Sequence, residues 1–285
     1  MKIGFIGTGV MGTEIINNLL KHQEVTVYNR TRAHAAAVME NGAKWCDTPA
    51  ELTRQSDVVF TMVGFPTDVE ELYFGENGIL ANTHAGQYLV DMTTSKPSLA
   101  KQIAKEGTKQ GAHVLDTPVS GGDIGAKKGT LTVMVGGQKK DLNTLQPLFE
   151  QFSSSVQYFG DAGSGQNAKM ANQIMIAGTM LGMSEALVYA KAAQLDLQEV
   201  MKTLQSGAAE NFSLGTYGPR ILEDDYTPGF FAKHFLKDLR IALEEAQKMG
   251  IKVPMTREAT RLYEKLVNAG YGNDGTQALV KLWWG

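Results

Sequence analysis

The sequence has little of what several classes of protein depend on. Its 285 residues include a single cysteine, Cys46, so no internal disulfide can form, and we expect a cytoplasmic protein in a reducing compartment. The net charge of −3 comes without any block of like charges, so a nucleic-acid partner is not suggested. The longest apolar stretch, residues 174–187, contains Ser184 and Glu185 and is short for a membrane span, so no membrane partner is expected.

Motifs of other enzyme classes are also missing. The five histidines are scattered without metal-ligand spacing, so we expect no metal site. There is neither a P-loop nor a Gly-x-Ser-x-Gly nucleophile motif. Glycines soon interrupt the amino-terminal apolar run, and Glu14 follows it, which favours a buried strand and turn over an export signal.

What the first half does contain is an alternation of short apolar runs and amphipathic stretches. Strands are predicted over residues 2–7, 24–29, 57–63, 87–93, 112–120, 130–137 and 155–160, and helices over 11–22, 32–42, 96–111 and 139–152. This order predicts an α/β fold with a Rossmann-type, doubly wound sheet, in which right-handed crossovers join parallel strands.

The second half lacks a strand pattern. Helices are predicted over residues 165–193, 196–207, 233–249 and 254–269, with a proline-containing loop over 216–231. We therefore expect two domains that meet near residue 162. Residues 1–162 would form the Rossmann domain, and residues 163–285 an all-helical domain that serves substrate binding and oligomerisation.

The motif GTGVMG follows the first predicted strand and opens the first predicted helix. In this context, the spacing Gly-x-Gly-x-x-Gly predicts dinucleotide binding, because glycines allow a tight turn, and the helix amino terminus offers free N–H groups to a pyrophosphate. The predicted cofactor contacts of this loop are Gly7, Thr8, Gly9, Val10, Met11 and Gly12.

The end of the second predicted strand reads YNRT. An NAD-binding protein usually places a carboxylate here to bind the ribose hydroxyls, whereas this chain has Asn29, Arg30 and Thr31. A guanidinium pairs well with a 2′-phosphate, so we predict that NADP(H) is preferred over NAD(H). The alternative is that Arg30 is an ordinary surface residue.

Several motifs together resemble the β-hydroxyacid dehydrogenases. This family includes 3-hydroxyisobutyrate dehydrogenase, tartronate semialdehyde reductase and the glyoxylate/succinic semialdehyde reductases. The similarity spans nearly the whole chain and rests on GFIGTGVMG (4–12), YNRT (28–31), DTPVSGG (116–122), GSGQNAKMANQ (163–173) and FLKDLRIAL (235–243). It implies an NAD(P)-dependent oxidoreductase that acts on a small hydroxy acid.

The resemblance gives roles to two of these motifs. It implies that Ser120, Gly121 and Gly122 bind the substrate carboxylate; by local sequence alone, a plain turn is an equal alternative. It also implies that Lys169 is the catalytic acid/base, since hydride transfer to a carbonyl carbon needs a proton at the carbonyl oxygen. Asn172 follows one helical turn later and would align the substrate. Without the resemblance, Lys169 would be interpreted as a lysine that extends into water.

Further contacts follow from the resemblance and the fold. Lys237 is implied to lie by the nicotinamide, with Asp238 holding it or a neighbour, and Phe231 to line the substrate pocket. Besides the glycine loop, Lys237 and the residues Asn29, Arg30 and Thr31, the predicted cofactor contacts are Met62, Val63 and Thr94. Asp116 and Pro118 are interpreted as shaping a turn. The family also suggests a homodimer or homotetramer.

The sequence thus predicts an NADP-dependent enzyme that interconverts a small 3-hydroxy acid and its semialdehyde. Two alternatives remain at this point. Imine reductases share the fold, but they generally lack the lysine found here as Lys169. A non-catalytic NADP-binding protein would not need Ser120, Lys169, Asn172 and Lys237 together.

Overall fold

The computed structural model describes residues 1–284. Contacts between Cα atoms divide the chain into two compact units: the first is Met1–Lys169, and the second begins at Met170. The division falls inside one long helix, Ser164–Ala192. Each unit is described below by itself.

The first unit is an α/β structure. Its strands are β1 Ile3–Ile6, β2 Val25–Tyr28, β3 Lys44–Trp45, β4 Val58–Thr61, β5 Tyr88–Asp91, β6 His113–Asp116, β7 Val119–Ser120, β8 Leu131–Gly137 and β9 Ser153–Gly160. Its helices are α1 Val10–Leu20, α2 Ala36–Glu40, α3 Pro49–Gln55, α4 Pro66–Phe74, α5 Ile79–Asn82, α6 Pro97–Lys109, α7 Gly122–Lys128 and α8 Lys139–Phe149, followed by the start of α9, Ser164–Ala192. A 3₁₀ turn, Arg32–Ala35, leads into α2.

The strands form one mixed sheet with the order β3-β2-β1-β4-β5-β6-β8-β7, and β9 pairs with β8. All pairs from β3 to β6 are parallel, as the alternating sequence predicts. Strand β8 instead runs antiparallel to β6 and β7. The prediction of one strand over residues 112–120 is wrong, because Pro118 has no N–H for a ladder and the chain breaks there into β6 and β7.

Both faces of the sheet are covered. Along β4, Val58 and Phe60 belong to one hydrophobic core, whereas Val59 between them belongs to the other. Phe60 meets Phe149 of α8 edge to face, with ring centroids 6.2 Å apart. A strand buried on both faces reads as a continuous apolar run, which is why the alternation of a half-exposed strand is missing from this sequence.

Helices α3 and α4 were not predicted from apolar periodicity, but their starts carry clear signals. Pro49 and Pro66 each stand in the first helical turn, where a missing N–H costs nothing. Thr48 caps α3 by accepting a hydrogen bond from Glu51 N at 3.1 Å. Both helices are short, so their apolar faces leave too few repeats to detect.

The second unit is helical. After the remainder of α9 it contains α10 Leu197–Ser206, α11 Phe212–Thr216, α12 Gly218–Leu222, α13 Ala232–Lys248, α14 Pro254–Asn268 and α15 Lys281–Trp284, with 3₁₀ turns at Tyr271–Asn273 and Thr276–Val280. The prediction of a loop over 216–231 is wrong where α12 forms, because Pro219 lies in the first turn of that helix and does not break it.

One of the hydrophobic cores of the second unit lies between α13, α14 and the second half of α9. Phe235 and Tyr263 pack edge to face with ring centroids 5.0 Å apart, and both are fully buried. Ala177 and Leu181 of α9 belong to the same core. Within residues 1–284, every helix is too short or too polar to cross a lipid bilayer.

Candidate active site

The glycine loop joins β1 to α1 at the carboxyl edge of the sheet. Gly7 has a φ of +107°, and a Cβ atom there would lie 2.1 Å from the carbonyl oxygen of Met62. A Cβ atom on Gly12 would lie 2.1 Å from the carbonyl oxygen of Gly7. Both positions therefore exclude a side chain, and their glycines allow β1, α1 and the residue after β4 to approach closely.

The start of α1 fits an anionic group. Gly9 is the N-cap, where an added Cβ would meet nothing of the protein within 4 Å. No side chain among the described residues caps this helix, so its first N–H groups stay available. The Thr8 hydroxyl is buried without a partner in residues 1–284. Open space, free donors and an orphaned hydroxyl suit the pyrophosphate of a dinucleotide.

Asn29 ties the glycine loop to the end of β2. Its Oδ1 accepts a hydrogen bond from Thr8 N at 3.0 Å, and its Nδ2 donates to Thr31 O at 3.0 Å. The Arg30 side chain, 83% exposed, extends toward α4, where its Nη1 lies 3.5 Å from Oδ1 of Asp68. An exposed guanidinium at this strand end can reach a phosphate, while Asp68 competes for it; the role of that carboxylate was not predicted.

The other predicted cofactor contacts follow neighbouring strands. Met62 N donates to Ile6 O at 2.9 Å and extends the pairing of β4 with β1. Val63 N donates to the Thr93 hydroxyl at 3.0 Å, which links the ends of β4 and β5. Thr94 comes next and is half-buried. These residues lie at the carboxyl edge of the parallel strands, where ligands of doubly wound sheets bind.

Two buried carboxylates stand at this edge: Asp91, for which no role was predicted, and Asp116, which was expected only to shape a turn. Asp91, the last residue of β5, accepts hydrogen bonds from the Thr61 hydroxyl at 2.9 Å and from Thr93 N at 3.0 Å. Burial raises the pKa of Asp91 to about 6. Asp116, the last residue of β6, also has a pKa raised by burial. An aspartate that directly follows an apolar strand is the signal that could have found both.

Asp116 caps α9. Its Oδ1 accepts a hydrogen bond from Gly163 N at 2.7 Å and its Oδ2 one from Gln166 N at 2.8 Å. Asp116 was expected to shape a turn, and the structure gives it this more specific role. The carboxylate neutralises the positive end of a helix that carries Lys169 one turn further on.

Lys169 is buried, with 7% of its surface exposed, so it does not extend into water. Its Nζ donates a hydrogen bond to Val119 O at 2.9 Å. Val119 precedes Ser120 in β7, and Gly121, with a φ of +128°, is the N-cap of α7. The structure therefore brings the ammonium next to the strand end that carries Ser120, Gly121 and Gly122.

In the second unit, Gln173 links two of the predicted residues, Asn172 and Asp238, by hydrogen bonds. Asn172 Nδ2 donates to Gln173 Oε1 at 2.9 Å, and Gln173 Nε2 donates to Asp238 Oδ2 at 2.6 Å. Asp238 is fully buried, and its Oδ1 lies 2.8 Å from the Nζ of Lys237. One buried carboxylate thus holds both an amide and an ammonium in place.

Phe231 is the N-cap of α13 and is half-buried. The Nζ of Lys233 lies 5.4 Å from the centroid of its ring. Among residues 1–284, no group of three or more His, Cys, Asp or Glu side chains is arranged to hold a metal ion.

Comparisons with known proteins match both halves of the chain to family models. Residues 2–160 match the family model described as the NAD binding domain of 6-phosphogluconate dehydrogenase. Residues 163–283 match the model described as NAD-binding of NADP-dependent 3-hydroxyisobutyrate dehydrogenase. Together the two models span nearly the whole chain.

Individual proteins are similar over most of their length. A probable mitochondrial 3-hydroxyisobutyrate dehydrogenase-like protein of Arabidopsis thaliana is 46% identical over 98% of this chain and 84% of its own. The 2-hydroxy-3-oxopropionate reductase of Escherichia coli is 36% identical over 99% of this chain and 96% of its own. The structure of Mycobacterium tuberculosis 3-hydroxyisobutyrate dehydrogenase with L-serine has a TM-score of 0.90 at 26% identity, with 99% and 98% of the two chains covered.

Proposed function

This chain belongs to the β-hydroxyacid dehydrogenase family of NAD(P)-dependent enzymes that act on CH–OH groups, and we propose that it interconverts a small 3-hydroxy acid and its semialdehyde with NADP(H). One observation carries this proposal: the buried Lys169, whose Nζ donates to Val119 O immediately before Ser120. The backbone N–H groups of this segment suit the carboxylate of a substrate. The buried amine beside them suits the exchange of a proton with the substrate's carbonyl or hydroxyl oxygen.

Lys169 would exchange the proton at the substrate oxygen. In reduction, its ammonium donates a proton as charge develops on the carbonyl oxygen, and in oxidation the neutral amine takes the proton from the hydroxyl. NADP(H), when bound, supplies or takes up the hydride. Asn172 follows Lys169 by one helical turn and would align the reacting oxygen.

Ser120, Gly121 and Gly122 would bind the substrate carboxylate. Their hydroxyl and backbone N–H groups are donors, and glycines leave those donors accessible. L-serine, present with the Mycobacterium tuberculosis relative, carries a carboxylate and a hydroxyl on its third carbon. That shape matches a 3-hydroxy acid and supports this substrate class for the present chain.

The preference for NADP(H) rests on the end of β2. Arg30 is exposed, and Asn29 and Thr31 stand where NAD-binding proteins usually have an acid. The residues that surround the glycine loop fit the pyrophosphate. We assign cofactor binding to the domain of residues 1–162, with Lys237 as a further contact beside the nicotinamide.

We assign substrate binding and assembly to residues 163–285, with Phe231 in the substrate pocket. A groove of about 510 Å³ along α9 is lined mostly by apolar side chains, among them Ile174, Met175 and Leu214. Met175 is 68% exposed. An apolar helix face of this kind supports a homodimer or homotetramer, which light scattering would test.

The first experiment is a panel of initial rates of NADPH and NADH oxidation with four aldehydes: methylmalonate, tartronate and succinic semialdehydes and glyoxylate. We expect one strong response, higher with NADPH. Binding of NADPH without turnover of any aldehyde would contradict the proposed reaction and favour a different substrate class or a non-catalytic role.

A further inference from the structure

Gln166, in the first turn of α9, is fully buried and has no part in the reaction described above. Its Nε2 donates a hydrogen bond to Thr93 O at 2.7 Å, and its Oε1 accepts one from Ser95 N at 2.9 Å. These two backbone groups flank Thr94. A single side chain therefore holds both sides of the loop that follows β5.

The helix that carries Gln166 is itself fixed to the sheet. Asp116 accepts hydrogen bonds from Gly163 N and Gln166 N. A Cβ atom on Gly165 would lie 2.4 Å from Met134 O and 2.5 Å from Asp116 O, so the helix begins in direct backbone contact with the end of β6 and the middle of β8. A helix packed this closely cannot slide along its axis without collision.

Gln166 and Lys169 are three residues apart and therefore project from neighbouring positions of the same helix. Gln166 holds the loop of Thr94, and Lys169 donates to Val119 beside Ser120. We propose that Gln166 is a positioning residue, which sets Thr94 relative to Lys169 and thereby aligns the nicotinamide with the proton donor. This inference rests on the proposed function, since it assigns Thr94 to the nicotinamide side.

An amide is the group that this position needs. The loop offers one carbonyl acceptor and one N–H donor, and a glutamine side chain satisfies both. A hydrophobic residue would leave both backbone groups without partners in the interior, and the loop would move to find new ones. Displacements of about 1 Å at a reacting group can lower the rate about 100-fold.

Gln87 provides a matched control. It is also fully buried, and its Nε2 donates to Thr53 O at 2.6 Å and to Ser56 O at 2.8 Å. It precedes β5, whereas Thr94 follows that strand, so Gln87 lies at the opposite edge of the sheet. Gln166→Met and Gln87→Met each remove the hydrogen bonds that one buried glutamine side chain makes. Both substitutions should therefore lower the midpoint of thermal unfolding by similar amounts.

The two variants should differ in catalysis. We expect Gln166→Met to lower kcat by about 10- to 100-fold with the KM for NADPH changed less than about twofold, because the pyrophosphate and adenosine contacts are untouched. Gln87→Met should keep the kcat of the unmodified protein. An unchanged kcat in Gln166→Met, or an equal loss in Gln87→Met, would overturn the proposal.

Gln166→Glu covers the case in which the methionine variant does not fold. It keeps the size and the acceptor for Ser95 N but turns an oxygen toward Thr93 O, so kcat at neutral pH should also fall. Amide hydrogen exchange of residues 93–96 is an independent measurement that does not need turnover. Faster exchange in both Gln166 variants would support the positioning of this loop by Gln166, and unchanged exchange would overturn it. If the variants exchange faster but the unmodified protein turns over no substrate, the result counts against the proposed reaction alone.

Discussion

The guanidinium of Arg30 lies 3.5 Å from the carboxylate of Asp68, which connects the end of β2 with the first turn of α4. Oδ2 of Asp68 also accepts a hydrogen bond from Phe65 N at 3.0 Å, which holds the carboxylate at the start of the helix. Arg30, the proposed partner of a 2′-phosphate, therefore already has an anionic neighbour. A bound 2′-phosphate must compete with Asp68 for Arg30, and it is repelled by the negative charge of Asp68.

Asp68→Asn should consequently strengthen NADPH binding. The amide can still accept the hydrogen bond from Phe65 N, while the charge that repels a 2′-phosphate is gone. We expect the Kd for NADPH to fall about two- to fivefold at low salt, since exposed charge pairs are worth at most about 1 kcal/mol. Fluorescence titrations of NADPH and NADH would measure the change.

The same titrations supply the controls. The Kd for NADH should stay constant, because this cofactor has no 2′-phosphate, and the gain for NADPH should shrink in an Arg30→Ala background. A gain of equal size for NADH would mean that Asp68 acts on the adenosine pocket and not through the phosphate.

Gly9 and Gly12 should respond differently to alanine. A Cβ on Gly12 would collide with the carbonyl of Gly7, so Gly12→Ala should lower the free energy of unfolding of the cofactor-free protein by about 2 kcal/mol or more. A Cβ on Gly9 meets nothing of the protein, so Gly9→Ala should leave that free energy nearly unchanged and weaken NADPH binding at least tenfold. Urea unfolding and NADPH titration measure the two effects, and tight binding by Gly9→Ala would contradict the pyrophosphate assignment.

Lys169→Met should abolish most turnover without loss of the cofactor. The thioether side chain fills a similar volume and cannot exchange a proton, so kcat should fall about 100- to 10,000-fold. The Kd for NADPH should change little, because the residue lies outside the glycine loop. Lys101→Met, at an exposed position of α6, is the matched control and should keep full activity. Comparable losses in both variants would remove the proton-transfer role.

The order of strands and helices could be predicted because central strands such as β4 are buried on both faces of the sheet. Val58, Val59 and Phe60 form an apolar run that indicates a parallel strand without any knowledge of its neighbours. Helix α12 and the break at Pro118 could not be predicted, because each depends on a single proline whose effect differs between a helix start, a strand and a loop.

For the site, motif spacing pointed to the residues but not to their partners. Lys169 was found from its motif, yet its hydrogen bond to Val119, 50 residues earlier, exists only because two distant segments fold together. The hydrogen-bonding roles of Asp91, Asp116 and Gln166 were not predicted, for the same reason. A buried polar residue is recognised by what it pairs with, and pairing across the sheet leaves no periodic trace in the sequence.

Asp91 provides a pH-dependent test of this buried network. Its carboxylate pairs with Thr61 and Thr93, and the Thr61 hydroxyl also lies 3.1 Å from the Tyr73 hydroxyl. Burial, reinforced by the neighbouring Asp116 carboxylate, raises the pKa of Asp91 from 3.8 to about 6. The folded state therefore holds this proton more tightly than the unfolded chain does.

The contribution of Asp91 to the free energy of unfolding is fully present below pH 3.8 and is lost as the pH rises through about 6. Ionisation is unfavourable in the folded state, where the carboxylate is buried, but not in the unfolded chain, where water solvates it. The full effect is about 3 kcal/mol, of which roughly 1 to 2 kcal/mol falls between pH 5 and pH 8. Asp91→Asn mimics the protonated acid and cannot titrate, so its free energy of unfolding relative to the unmodified protein should increase by that amount over this range. Urea unfolding at several pH values measures the difference, in which most other titrating groups cancel. A constant difference would mean that Asp91 titrates normally and that water or a cation reaches it in the folded protein.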